Sequence, residues 1–133
     1  MSHPLMPHQI DANEIKQVDD QQTAAQTDKQ LLAAPTSRDM NGTSATDVNA
    51  EYIVVGLEFS AVAAGTLYLE NADGGGSARK SITYQFPATF NSGLIPTWIQ
   101  MGKGLPLKYT STGTNPNVSL KVHYILKKYG LQR

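Results

Sequence analysis

From residue 51 onward the apolar residues recur at every second position, a period that fits strands and not helices. In Glu51-Tyr52-Ile53-Val54-Val55-Gly56-Leu57-Glu58-Phe59, the residues Ile53, Val55, Leu57 and Phe59 fall on one face of a strand. Thr66-Leu67-Tyr68-Leu69-Glu70 and Ser81-Ile82-Thr83-Tyr84-Gln85-Phe86 read as two more, with Pro87 closing the latter or placing it at an edge. Further strands are expected within Leu94 to Met101 and along Leu105, Leu107 and Tyr109. The clearest runs from Val118, with Val118, Leu120, Val122, Tyr124 and Leu126 on one side and Ser119, Lys121, His123 and Lys127 on the other. Turn-forming stretches separate them: Asn71-Ala72-Asp73-Gly74-Gly75-Gly76-Ser77 and Ser111-Thr112-Gly113-Thr114-Asn115-Pro116-Asn117. The expected fold is all-β, an antiparallel β-sandwich or small barrel of about six to eight strands.

The first fifty residues follow other rules. All ten aromatic residues, and ten of the eleven glycines, lie after residue 50. Residues 1–50 hold seven acids and three bases, net −4; residues 51–133 hold four acids and eight bases, net +4. Large aliphatic side chains are sparse in the first part, and burying one yields roughly 1.5–3 kcal/mol. Ordering each backbone residue costs about 1–2 kcal/mol, so this segment does not fold alone. The division expected is an N-terminal interaction arm, 1–50, and a β-sandwich domain, 51–133. The arm is expected to be extended or partly helical, since Asp11 and Glu14 have capping-box spacing and Pro35 supplies a stop. Its apolar residues Ile10, Ile15, Val18, Leu31 and Leu32 are the candidate partner contacts. The opposite charges of arm and domain suggest attraction between neighbouring subunits.

Chemistry is hard to find. With no cysteine, disulfides, thiolate nucleophiles, zinc–thiolate sites and iron–sulfur clusters are excluded. Gly75-Gly76-Ser77-Ala78-Arg79 fails the serine-elbow pattern, and no phosphate-loop sequence occurs. The three histidines, His3, His8 and His123, lack metal-ligand spacing, and a Glu58–Glu70 pair is the one arrangement of domain acids that invites acid–base chemistry. No catalytic residue, cofactor or metal is expected, and the chain is read as not an enzyme. Zero net charge argues against a nucleic-acid partner. No apolar run approaches the ~18 residues of a membrane span, and the first residues lack a signal-peptide layout. Trp98 and Tyr109 suggest a sugar-stacking platform, which makes a carbohydrate-binding module one alternative.

A Gln/Thr/Asp-rich arm followed by a sandwich-like run from Tyr52 to Tyr129 resembles small accessory virion proteins of tailed bacteriophages, of the capsid decoration or cement type. That resemblance implies a structural protein of the virion, assembled in the host cytoplasm. Its partners would be itself, as a homotrimer or larger ring, and a major capsid or other virion protein. A head–tail adaptor, tail or fibre component is the alternative within the same class. A domain of some eighty residues buries only about 60–65% of its unfolded surface, which also favours oligomerisation.

Overall fold

The computed structural model describes residues 14–71 and 82–129. Eleven strands are present there: β1 Lys16–Gln22, β2 Lys29–Leu32, β3 Thr36–Arg38, β4 Ser44–Thr46, β5 Ala50–Ala61, β6 Gly65–Glu70, β7 Tyr84–Phe86, β8 Phe90–Asn91, β9 Ile95–Gln100, β10 Leu107–Thr112 and β11 Val118–Lys128. All pairings are antiparallel.

The first sheet has the order β1-β11-β5-β8, with β9 also on β5. Strands β8 and β9 are two parts of one edge. Asn91 lies opposite Ser60 and Ile95 opposite Leu57, and Ser92 between them keeps the ladder through its bond to the Phe59 carbonyl, 2.9 Å. The second sheet has the order β2-β10-β6-β7. The chain passes between sheets at β1–β2, β2–β5, β5–β6, β7–β8, β9–β10 and β10–β11, which is the connectivity of a double-sheet jelly roll. The β3–β4 hairpin is an insertion between β2 and β5, paired only with itself.

The core lies between the sheets. Tyr52, Val54, Leu57 and Phe59 of β5 and Val118, Leu120 and Val122 of β11 meet Leu67 and Leu69 of β6 and Leu107 and Tyr109 of β10. Phe59 anchors an aromatic group, with Phe86 at 5.5 Å and Phe90 at 5.4 Å between ring centroids. The inward face of β11 is as the alternation predicts. On β5 it is not, because the register against β11 and β9 shifts between Val54 and Gly56. One extra residue at Val55 reverses the pleat. Tyr52 and Val54 therefore point inward with Leu57 and Phe59, while Ile53 turns to the outer face.

The arm also needs correction. Residues 16–50 are not a segment separate from the sandwich, and residue 50 is no boundary between folded units. Strand β1 pairs over its whole length with β11, from Lys16 opposite Tyr124 to Gln22 opposite Val118. Strand β2 pairs with β10. Among the described residues no α-helix forms between Glu14 and Pro35. Pairing with a long strand overrides a weak helical preference, and an edge strand tolerates a polar sequence. Val18, Leu31 and Leu32, expected at a partner, pack against this chain's own core. Ile15 remains partly exposed; Ile10, Asp11 and the glycines Gly74, Gly75 and Gly76 lie outside the described residues.

Polar bonds fasten the two edges. The Tyr109 phenol of the second sheet donates to Asp20 Oδ2 of β1, 2.6 Å. Burial, the bond to Asp20 and its charge together push the Tyr109 phenol up. At the opposite end of the sandwich, the Tyr129 phenol donates to Glu51. Burial and that carboxylate raise the Tyr129 phenol to about 12.

Two outcomes follow. Removing residues 1–34 strips β1 and β2 from both sheets, so cooperative thermal unfolding followed by circular dichroism is expected to vanish; a chain starting at residue 14 should retain it. A phenol raised in the folded state contributes stability that is complete below its unfolded value near 10 and is lost as pH rises through its folded value. Stability against urea is therefore expected to fall from pH 10 towards pH 12, with a shallower decline in Tyr129→Phe.

Candidate functional site: the outer face of the first sheet

The five strands of the first sheet turn one face to the core and the other outward. On that outer face the register sets residues in rows. Gln21, Ser119, Ser60 and Asn91 form an uncharged polar row; Asp19, Lys121 and Glu58 form a charged one. Gln17, His123, Gly56 and Pro96 come next. Beyond the bulge, Ile125 lies opposite Ile53, and Ile15 stands one position past the Lys16–Tyr124 pair. The face thus grades from polar to apolar along the strands.

The polar end is a shallow groove of about 490 Å³, lined by Asp19, Gln21, Glu58, Ser60, Asn91, Ser119 and Lys121 among others. Glu58 is its centre: the Lys121 ammonium lies 3.7 Å and His123 Nε2 3.5 Å from Glu58 Oε1. Asp19 of the acidic first part stands opposite Lys121 of the basic second part within one chain.

The apolar end is built by β9. Ile95 and Ile99 pack on the core, so alternation sends Pro96, Trp98 and Gln100 outward. Trp98, the chain's one tryptophan, is 47% exposed and Leu94 61%. Ile53 and Ile125, also on the outer face, are 1% and 7% exposed. Gly56 lies between the two ends; a Cβ there would stand 3.2 Å from Leu94 Cδ1 and 3.7 Å from the His123 ring. Leu94 therefore covers the middle of the face with an aliphatic side chain.

Trp98 is exposed, as a stacking platform requires, but Tyr109 is wholly buried and cannot share that role. Glu58 and Glu70 are not brought together: Glu58 is on the first sheet's outer face, whereas Glu70 is buried in the second sheet and accepts from Thr110 Oγ1. Glu51 is buried as well, accepting from the Gly102 N–H, 3.1 Å, and from Gln100 and Tyr129. Among the described residues no three His, Asp or Glu side chains converge to hold a metal ion, and no helix is long and apolar enough to cross a membrane. The outward residues of β11 were legible as a wet face. Their neighbours Asp19, Gln21 and Asn91 were not, because nothing local reveals that 16–22 pairs there. No protein-family model, characterised protein sequence or solved structure matches this chain.

The ion pairs of Glu58 are partly exposed, and such pairs contribute about 0–1 kcal/mol. Glu58→Gln is accordingly expected to lower the unfolding free energy by less than about 1 kcal/mol in urea titration, leaving the row free to serve recognition.

Proposed function

We propose that this chain is a non-enzymatic structural protein of a virion, of the capsid decoration or cement type, that binds a capsid lattice through its N-terminal residues and an oligomeric β domain. The observation that carries this reading is the jelly-roll connectivity, which viral capsid domains use, as lectin domains do. The step from jelly roll to virion is made by analogy of fold.

The disposition of the reactive side chains supports the non-enzymatic part. Asp20, Glu51 and Glu70 are each held by fixed internal donors that tie strands or loops together. Their bonds serve the fold. The groups left at the surface lie on a broad, shallow sheet face, the kind of surface that suits contact with another macromolecule.

The N-terminal contribution is now narrower than an arm of fifty residues. Val18, Leu31 and Leu32 serve the sandwich, which leaves residues 1–13, with Ile10, and the partly exposed Ile15 as the segment for a lattice. Thirteen residues of any chain span at most roughly 43–47 Å, a length that can meet a neighbouring subunit.

The test is recovery of the chain with particles. Density-gradient fractions of virions from the system that encodes it should contain the chain in fixed proportion to the major capsid protein, measured by quantitative mass spectrometry. A chain lacking residues 1–13 should be lost from those fractions. Finding the full chain only in the soluble fraction would overturn the proposal.

A further inference from the structure

We infer that the outer face of the first sheet is a docking surface for a second copy of this chain, with Trp98 and Leu94 as its apolar anchor. This rests on the oligomeric part of the function proposed above and gives it a location.

Among the described residues, Trp98 on β9 is an exposed large apolar side chain, and so are Leu94 and Ile15, which directly precede β9 and β1; Met40, Val48, Val62 and Ile82 are exposed elsewhere. Trp98 and Leu94 sit on one edge strand and the segment leading into it, and Ile15 continues the row of Ile53 and Ile125 at the other edge. Tryptophan is enriched among residues that dominate binding energy, and an apolar centre with a polar surround is the common layout of a protein interface. Here the polar groove flanks the apolar patch on one side.

The charge pattern suits a second copy. The row Asp19–Lys121–Glu58 carries acid, base and acid across three adjacent strands. When two identical faces meet about a rotation axis, such a row can be offset to set the lysine of one copy against a carboxylate of the other. A face of one sign would repel itself. The whole chain has zero net charge, so no long-range repulsion opposes association at neutral pH.

A glycan is served less well. Trp98 would stack on a sugar ring, but a chain of sugars reaching from Trp98 to the groove would cross Leu94, which lies over Gly56. Stacking and hydrogen bonding are separated by an aliphatic side chain that a second copy would bury and a sugar would leave in water.

The test measures the mass of the full chain by light scattering coupled to size exclusion over a range of concentrations. The expected result is a mass of two or more chains for the wild type. Trp98→Glu and Leu94→Glu should each give the single-chain 14.4 kDa with an unchanged circular dichroism spectrum. Val62→Glu, an exposed apolar residue in the β5–β6 turn, should keep the wild-type mass. Trp98 fluorescence supplies a readout that needs no variant: emission should shift to shorter wavelength as concentration rises. An assembly indifferent to both face variants overturns the location. A wild-type monomer with concentration-independent emission overturns self-docking, and a shift induced in it by a glycan library assigns the face to sugar instead. Either result leaves the virion reading to its own test, since a monomer can still band with particles and an oligomer can fail to.

Discussion

The structure depends on the pairing of the chain's first strands with its last. Strand β1 closes one sheet against β11, and β2 closes the other against β10. Without them β11 and β10 would be edges, with a row of unpaired backbone groups along each, and Val18, Leu31 and Leu32 would be missing from the margin of the core. The price of this arrangement is sequence separation. Lys16 meets Tyr124 more than a hundred residues later, so the sheets cannot be completed until nearly the whole chain is available. Loop-closure entropy precedes the contacts that repay it, which places this molecule among slow-folding β topologies. The Tyr109–Asp20 bond, between the inner strand of one sheet and the edge of the other, fixes how the two closures meet.

A single extra residue then shapes the surface. The bulge at Val55 lets Val54 and Leu57 both face the core although three positions separate them. It moves Ile53 to the outer side beside Ile125 and gives that side an apolar end. Gly56 follows immediately, and its missing side chain is what makes room for Leu94. Trp98 faces outward through the unbroken alternation of β9 itself, with Ile95 and Ile99 inward. Core packing and the Ile53 part of the candidate interface are thus two consequences of one local change in pleat.

These relations explain what was legible beforehand. The all-β class, the antiparallel sandwich and the two faces of β11 followed from period-two alternation, because Val118, Leu120 and Val122 have one environment along an uninterrupted strand. Strand β5 was recognisable as a strand, yet its faces were misassigned on one side of Val55, since a bulge leaves no mark in an apolar run. Strand β1 was not recognisable. Lys16-Gln17-Val18-Asp19-Asp20-Gln21-Gln22 has one apolar residue, and its conformation is dictated by β11 rather than by itself. The same gap hid one side of the groove: Asp19 and Gln21 reach Lys121 and Ser119 only through that pairing. Trp98 was identified as a candidate, and its exposure followed from the alternation of β9 once Ile95 and Ile99 were fixed to the core.

The central claim, that the N-terminal strand is an integral member of the jelly roll, is tested most directly by native-state amide hydrogen exchange read residue by residue. The amides of Lys16–Gln22 that bond to β11 should exchange at rates close to those of β11 and β5, because opening them requires opening the sheet. Exchange of the β1 amides at the rate of free peptide, beside protected β11 and β5, would contradict the account and restore residues 14–50 to the status of an undocked arm.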